Sequence, residues 1–257
     1  MKFLRKPLSY VIQVLTVLFC NSVCANNQAE PSKFHVVTCA SHHTKNLEQL
    51  LVSARYNGLN VEVLGLGQPY KGNGRKFRYY LEYLQTVPEN DIILFVDAYD
   101  VLILSDQKTI LETFYKMNVP LLVSAETTCF PFRSLFNQYP PSSSRFKYLN
   151  SGGIIGYAGY MKNLFHDIPS FKDHQSDQGV LTKHFLSHRN AYRLDYNAEM
   201  FISLHEVARS ELTYDKEKKK VFSLISSPCP CIIHGNGIPA KAHYQEIYDA
   251  LFSETNP

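Results

Sequence analysis

The sequence predicts an α/β protein in which helices flank a central, mostly parallel sheet. The run Ile92 to Val96 is apolar throughout, has the length of a strand and is rich in β-branched residues, which suits a strand covered on both faces. Two earlier strand-like segments, 33–40 and 61–64, alternate with segments of helical periodicity. A strand–helix–strand–helix–strand order favours parallel strands joined by right-handed crossovers.

Helices are predicted where apolar residues recur at intervals of three and four. Thr44 is the expected N-cap of the first helix, and Asn57-Gly58 is its expected end. The positions expected to face the core in four such helices are Leu47, Leu50, Leu51 and Ala54; Phe77, Tyr80, Leu81 and Leu84; Ile110, Leu111, Phe114 and Met117; and Tyr244, Ile247, Tyr248, Leu251 and Phe252. Further helices are predicted for 159–165 and 178–186.

The later part of the chain predicts short strands at 120–124, 150–157, 192–196, 200–204, 221–225 and 231–233. The charged segment 215–220 is expected to be a hairpin tip between the strands at 200–204 and 221–225. The segment 126–148 has no clear period and is rich in Pro, Ser, Phe and Tyr. Loops of this length are usually functional or disordered, and its aromatic residues favour a packed lid or binding wall.

The charge pattern argues against nucleic-acid binding. The chain has 26 basic and 23 acidic residues, but Lys2, Arg5 and Lys6 precede the first acidic residue. The part of the chain after Asn26 therefore has no net charge, and it offers no general electrostatic attraction to a polyanion.

Residues 1–25 have the pattern of a secretory signal peptide, with a basic start, an apolar run and small residues before Asn26. We expect residues 26–257 to form a single domain that is exported to the cell exterior, the periplasm or the lumen of the endoplasmic reticulum or Golgi. An uncleaved membrane anchor is the alternative, but no stable insertion is expected after cleavage. An oxidising compartment would permit disulfides among Cys39, Cys129, Cys229 and Cys231, with three pairings open.

Two aspartates, Asp97 and Asp100, follow the central strand. Carboxylates at the end of a buried strand lie where open α/β sheets bind ligands, and a turn can direct both at a divalent cation. The alternative is an ordinary turn, because Asp is a common turn residue. His234 similarly ends an apolar run and is surrounded by glycines, although a lone histidine is usually structural.

Two further segments carry candidate binding groups. Gly72-Asn73-Gly74 opens a helix and is a candidate phosphate cradle to which Lys76 would add charge, although glycines before a helix are usually a turn. Asp177 lies at the start of the predicted helix 178–186, where it is either a functional carboxylate or the helix N-cap.

Five short motifs occur together in one order along the chain. They are Phe95-Val96-Asp97-Ala98-Tyr99-Asp100, Ser124-Ala125-Glu126, Leu149-Asn150-Ser151-Gly152-Gly153, Asp177-Gln178 and His234-Gly235-Asn236-Gly237. In this order they resemble the glycosyltransferase domain of the procollagen lysyl hydroxylases and the related collagen glycosyltransferases, over residues 34–237. The resemblance implies a Rossmann-like GT-A fold. It also implies a UDP-sugar donor, Mn²⁺, and hydroxylysine or galactosyl-hydroxylysine of a collagen-like protein as acceptor.

The resemblance also assigns expected roles to residues. Asp97, Asp100 and His234 would bind Mn²⁺, with Mg²⁺ as the alternative, and an imidazole ligand favours Mn²⁺. Asp177 and Lys76 would be the catalytic residues. The residues expected to bind the donor are Thr38, Lys76, Tyr99, Phe130, Asn150, Asn236 and Gly237.

Two departures from the family pattern lie on the sugar and acceptor side. The chain has no tryptophan, and Phe130 stands where the family has one; the acidic run is reduced to Asp173-His174-Gln175-Ser176-Asp177. Donor chemistry is therefore better supported than acceptor identity. The resemblance implies a hexosyltransferase that uses UDP-glucose or UDP-galactose. The alternatives are a catalytically weak UDP-sugar- or glycan-binding protein on the same scaffold and, less favoured by the spacing, a phosphatase with Asp97 as nucleophile. The chain ends before any hydroxylase module, so no hydroxylase activity is expected.

Overall fold

The structure is a computed structural model that describes residues 32–168 and 172–253. From Lys33 onward the described residues form one compact unit. Its strands are β1 (Phe34–Cys39), β2 (Val61–Leu64), β3 (Ile92–Asp97), β4 (Val101–Ile103), β5 (Leu121–Glu126), β6 (Tyr148–Tyr157), β7 (Arg193–Leu194), β8 (Phe201–Ser203), β9 (Leu212–Asp215), β10 (Lys220–Ser223) and β11 (Ile232–His234). Its helices are α1 (Lys45–Tyr56), α2 (Arg75–Leu84), α3 (Gln107–Met117), α4 (Ala158–Asp167), α5 (Asp177–Ser187) and α6 (Ile238–Phe252).

The main sheet has six strands in the order β2-β1-β3-β6-β5-β7. All of them except β6 run in one direction, because β6 is antiparallel to both β3 and β5. The predicted α/β architecture with a central, mostly parallel sheet is therefore confirmed. The place of β6 between β3 and β5 brings the glycine-dense segment of the sequence beside the central strand.

Strand β3 is buried on both faces, as predicted. Its side chains alternate between two hydrophobic clusters, with Ile93 and Phe95 in one and Ile92, Leu94 and Val96 in the other. The ring of Phe95 stacks on Tyr80 of α2, with centroids 3.8 Å apart. Full burial of a phenylalanine contributes on the order of 1.5–3 kcal/mol, so this strand anchors the fold as well as the site.

A second, smaller sheet was not expected from the sequence. Strand β11 pairs with β4 in antiparallel and with β8 in parallel orientation, and the register places His234 opposite Val101 and Ser203. The segment Val101–Ile103 forms this sheet because the chain turns at Asp100 and leaves the main sheet. The smaller sheet thus places His234 beside Val101, the residue that follows Asp100.

The hairpin prediction was right in its tip and wrong in its first strand. Residues between Asp215 and Lys220 do form the tip, but the strand before it is β9, which pairs with β10. Residues 201–203 form β8 in the smaller sheet instead. Parallel pairing with β11 determines that placement, and a single sequence carries no local signal for it.

Helix caps agree with the sequence in one case and differ in another. Thr44 caps α1 by accepting a hydrogen bond from the Leu47 amide, as predicted. The cap of α5 is Ser176, whose hydroxyl accepts from the Gly179 amide, so the capping role considered for Asp177 was wrong. Asp177 is the first residue of the helix, and its side chain is used elsewhere.

Two further expectations concern membranes and cysteines. Among the described residues no helix is long and apolar enough to span a bilayer. Residues 1–25, for which a signal peptide is predicted, lie outside the described part of the chain. The four cysteines after Asn26 are all free thiols, and none forms a disulfide.

Candidate active site

Asp97, Asp100 and His234 meet where the two sheets adjoin. Asp97 ends β3, Asp100 precedes β4, and His234 ends β11. The Nε2 atom of His234 lies 3.3 Å from Asp100 Oδ1 and 3.6 Å from Asp97 Oδ2. One candidate ligand atom from each residue lies within 4.8 Å of the other two. The predicted convergence of these three side chains is therefore observed.

The His234 ring is held in one orientation by its neighbours. Its Nδ1 atom lies 2.9 Å from Oδ1 of Asn150, which also accepts from the Gly152 amide, so Nδ1 donates and Nε2 faces the carboxylates. A Cβ atom at Gly152 would lie 2.1 Å from the imidazole, so only glycine leaves room for the ring. A hydrogen bond from the remote nitrogen is the usual support of a metal-binding histidine.

The donor set fits a divalent cation. Two carboxylates and one imidazole converge, and a cation of this class completes its shell with water or substrate oxygens. Burial lowers the pKa of His234, but the charge of Asp100, its hydrogen bond and the charge of Asp97 together raise it, so the net shift is upward. The imidazole thus lies in a strongly negative environment, which a bound cation would neutralise.

Lys76 lies beside this cluster and joins it to Asp177. Its Nζ atom is 2.5 Å from Asp97 Oδ1 and 2.6 Å from Asp177 Oδ2, and Ser151 donates a hydrogen bond to Asp177 at 2.8 Å. Burial lowers the pKa of Lys76, but Asp177 and then Asp97 raise it well above its ordinary value. Burial raises the pKa of Asp177, but Lys76 lowers it below the usual range. Both groups are therefore ionised near neutral pH.

Glu126 is a functional candidate to which the sequence assigned no role. Buried at the end of β5, it accepts hydrogen bonds from Gln178 at 2.5 Å, Asn236 at 2.8 Å and Asn150 at 3.2 Å. Burial raises the pKa of Glu126. The signal that could have identified it is the one used for Asp97, a carboxylate directly after a buried strand.

A cavity of about 570 Å³ opens over these groups. Its lining includes residues 39–41, residues of the 65–73 loop, and Tyr99, Thr128, Phe130, Arg133 and His205. The predicted site residues that line the cavity are Lys76, Asp97, Tyr99, Asp100, Phe130, Asn150, Asp177, His234, Asn236 and Gly237. Of the eleven residues predicted for the site, ten therefore line one cavity.

Thr38 is the exception, and its prediction is corrected. It is fully buried, its hydroxyl donates to the Val96 carbonyl at 2.7 Å, and it is not among the cavity-lining residues. Ser41, three residues later, lies on the cavity wall. The chain leaves the sheet after Cys39, so the residues of this segment that reach the cavity are the last of the strand and the two that follow it.

Three amides where the glycine loop enters α2 are already hydrogen-bonded and are not free to bind a phosphate. The Gly74 amide donates to the Asp173 carbonyl, and the amides of Arg75 and Lys76 donate within the turn. A Cβ atom at Gly72 would lie 2.2 Å from the Asp173 carbonyl oxygen, and one at Gly74 would lie 2.3 Å from that of Lys172. These glycines are required by close packing against the segment that leads to Asp177.

Lys241 was also missed. It lies on the cavity wall in the first turn of α6, exposed, and its charge contributes to lowering the pKa of Asp100. Its position one turn after Gly237, the residue that precedes α6, was the available signal.

Comparison with known proteins supplies the family. A family model described as "PLOD GT domain" matches residues 30–250. This chain belongs to that family. The resemblance drawn from the five motifs is thereby confirmed, and the family is one of glycosyltransferase domains.

Curated relatives are similar over most of this chain but extend well beyond it. Identity is 30% over 230 residues with the rat "Multifunctional procollagen lysine hydroxylase and glycosyltransferase LH3", which is 84% of this chain and 31% of that protein. Identity is 32% over 247 residues with the Drosophila melanogaster "Procollagen-lysine,2-oxoglutarate 5-dioxygenase", which is 88% of this chain and 34% of that protein. The chain thus spans about a third of the length of these relatives.

Solved structures are similar at lower identity. One is a glycosyltransferase involved in glycosylation of the major capsid of PBCV-1, with a TM-score of 0.45 and 11% identity over 83% of this chain and 98% of that one. Another is S. aureus TarS 1-349 in complex with UDP, with a TM-score of 0.37 and 16% identity over 64% of this chain and 58% of that one.

Proposed function

We propose that this protein is a Mn²⁺-dependent glycosyltransferase that transfers glucose or galactose from a UDP-sugar to a hydroxyl group of a protein or glycan acceptor. Hydroxylysine or galactosyl-hydroxylysine of a collagen-like protein is the acceptor class to be tested first. The observation that carries the proposal is the Asp97–Asp100–His234 cluster beside the Lys76–Asp177 ion pair, at the base of one cavity.

Donor binding would use the cation cluster and the walls near it. Bound there, Mn²⁺ would act as a Lewis acid that binds the diphosphate and offsets its charge. Tyr99 and Ser41 on the cavity wall are available to the nucleoside, and Lys241 to the phosphates. The imidazole of His234 in the ligand set is the feature that favours Mn²⁺ over Mg²⁺.

Lys76 and Asp177 would act on the charges that develop during transfer. Rupture of the bond between sugar and phosphate leaves negative charge on UDP, and the buried Lys76 ammonium can stabilise it without reorganisation. The sugar becomes positively charged in the transition state. Asp177, held ionised by Lys76, can stabilise that charge or orient the acceptor hydroxyl. Its lowered pKa makes it a poor general base.

The alternative is a UDP-sugar- or glycan-binding protein with weak catalytic activity. It is kept because the family tryptophan is absent, and because Phe130 is 57% exposed at the cavity. Binding without turnover would distinguish this alternative from the transferase.

The test is the release of UDP from a panel of UDP-sugars by the purified protein, with and without Mn²⁺. Without an acceptor, water takes its place, so we expect hydrolysis of UDP-glucose or UDP-galactose. This hydrolysis should require the metal and stop when EDTA is added. Binding of UDP with no release from any sugar would favour the alternative. Absence of metal-dependent UDP binding would exclude both the transferase and the UDP-sugar-binding form of the alternative.

We also propose export, from residues 1–25, which lie outside the described residues. N-terminal sequencing of the protein from its native host should give a first residue near Asn26, since the small residues before it form the expected cleavage site. Recovery of cytosolic protein that begins at Met1 would contradict export.

A further inference from the structure

One lip of the cavity carries uncompensated positive charge. Arg133 lines the cavity, is exposed, and has no ion-pair or hydrogen-bond partner among the described residues. It begins the 3-10 turn Arg133–Gln138. Lys183 Nζ lies 4.8 Å from the centroid of the Phe132 ring, and Arg189 donates to the Gln138 carbonyl at 2.8 Å. Arg133 at the cavity, together with Lys183 and Arg189, which lie along the same turn outside the cavity lining, is here named the basic lip.

The segments that form the basic lip contain no acidic residue. Segment 127–148 has two arginines and a lysine, segment 178–192 has a lysine and an arginine, and neither has an Asp or a Glu. Of these cations, only Arg145 has a carboxylate partner in the described structure, Glu211 at 2.6 Å. An exposed cluster of one sign, without counter-charges in its own segments, attracts a partner of the opposite sign.

The acidic groups at the base of the cavity do not neutralise this lip. Asp97 and Asp177 are paired with Lys76, Asp100 faces His234, and Glu126 accepts only from amide groups. The segment that carries Arg133 nevertheless contacts the start of α5, next to Asp177. The side chain of Gln178 donates to the Phe130 carbonyl at 2.9 Å, and Gly179 packs on the Phe132 ring. The lip is therefore on the side of the cavity where the sugar would meet its acceptor.

We propose that the acceptor is a polypeptide with an acidic residue beside the hydroxyl group that receives the sugar, and that Arg133 binds its carboxylate. This inference rests on the proposed function and specifies its acceptor class. A guanidinium can bind a carboxylate through two parallel hydrogen bonds, and the unpaired Arg133 has its donors available. Lys183 and Arg189 extend the positive surface along the turn, which suits an acceptor chain with further acidic residues.

The experiment compares three acceptor peptides that differ only in the residue next to one hydroxylysine: Glu, Gln or Lys. With UDP-sugar and Mn²⁺, kcat/KM for the wild-type protein should be about threefold to fivefold higher for the Glu peptide than for the Gln peptide, as expected for a partly exposed ion pair. The difference should shrink at 0.5 M salt, because ions screen exposed charges. Arg133→Glu should reverse the preference, so that kcat/KM is highest for the Lys peptide. Arg133→Gln should abolish the preference for the Glu peptide.

The control is Lys108→Glu, an exposed lysine of α3 outside the cavity lining, which changes the net charge equally and should keep the wild-type order. Equal rates on the Glu and Gln peptides, or a Glu preference that survives Arg133→Glu, would overturn the inference. Absence of transfer to every peptide while metal-dependent hydrolysis of UDP-sugar persists would overturn it as well, but would leave the proposed donor chemistry standing. Absence of hydrolysis would overturn the proposed function, and this inference with it.

Discussion

At the scale of single residues, Asp177 is where structural and catalytic roles separate most clearly. Ser176 caps the helix, so the carboxylate of Asp177 is free to pair with Lys76. We predict that Asp177→Asn lowers kcat at least about tenfold, equivalent to about 1.4 kcal/mol of barrier, because it removes a charge used in the transition state. Steady-state rates with the best UDP-sugar would measure the effect on turnover, and calorimetry with UDP would measure the effect on binding. UDP affinity should change by less than about twofold.

The matched control is Asp106→Asn, the same chemical change at the N-cap of α3 and outside the cavity lining. Asn caps a helix about as well as Asp, so this variant should keep both its turnover and its stability. Wild-type turnover in Asp177→Asn would show that the Lys76–Asp177 pair only supports the fold.

Gly152 is the second residue with a specific consequence. Because an added Cβ atom would overlap the His234 ring, Gly152→Ala should displace the imidazole from the two aspartates. Metal-dependent UDP affinity should fall at least about tenfold, as when the support of a metal ligand is removed. The measurement is UDP binding in the presence of Mn²⁺ by calorimetry.

Gly153→Ala is its control, because the added methyl group would meet Phe201 in the core instead of His234. Both variants should lower stability, since overpacking a core costs typically about 1–3 kcal/mol, but only Gly152→Ala should lower the affinity. Wild-type affinity in folded Gly152→Ala would refute the claim that Gly152 makes room for the ring.

At the scale of elements, α6 packs on the β9–β10 hairpin through a histidine that should make stability depend on pH. His243 is 2% exposed and its Nε2 atom lies 3.1 Å from the Tyr214 hydroxyl. Burial, followed by the charge of Arg209, lowers the pKa of His243. The unfolded chain therefore takes up a proton near the ordinary pKa of about 6.5, whereas the folded chain does so only at lower pH.

The sign of the effect follows from linkage. The stability contributed by neutral His243 is complete above about pH 6.5 and is lost as the pH falls through the lower pKa of the folded state. We predict that the free energy of unfolding falls less between pH 7.5 and pH 5.5 in His243→Gln than in the wild type. Urea unfolding at both pH values would measure it, and equal losses in the two proteins would contradict the prediction.

The sequence predicted elements with a strong local pattern and missed those determined by pairing. Thr44, the buried run of β3 and the apolar face of α6 carry their signals locally, and each lies as expected. The direction of β6 and the small sheet that contains β4 and β11 depend on contacts between residues distant in the chain. The prediction that Thr38 binds the donor was wrong for a related reason. The resemblance indicated the part of the chain that reaches the cavity but not the residue at which the chain leaves the sheet.

At the scale of the whole molecule, the site is the seam between two sheets. The main sheet supplies Asp97 and the small sheet supplies His234, with Asp100 at the turn between β3 and β4. The sequence located these three residues because strand-end carboxylates and a histidine after an apolar run are visible locally. It could not indicate that the two sheets meet there. Nor could it indicate that Asn150 contacts His234 or that Lys76 pairs with Asp97, because those contacts appear only when the sheets adjoin.

The central claim is that this seam binds a divalent cation and, through it, the diphosphate of a UDP-sugar. The most direct test is calorimetry of UDP binding with and without Mn²⁺ for the wild type, for Asp100→Ala and for the exposed control Asp167→Ala. We predict metal-dependent binding in the wild type and the control, and its loss in a folded Asp100→Ala, because one of the three ligands is removed. Unchanged metal-dependent UDP affinity in Asp100→Ala would contradict the claim.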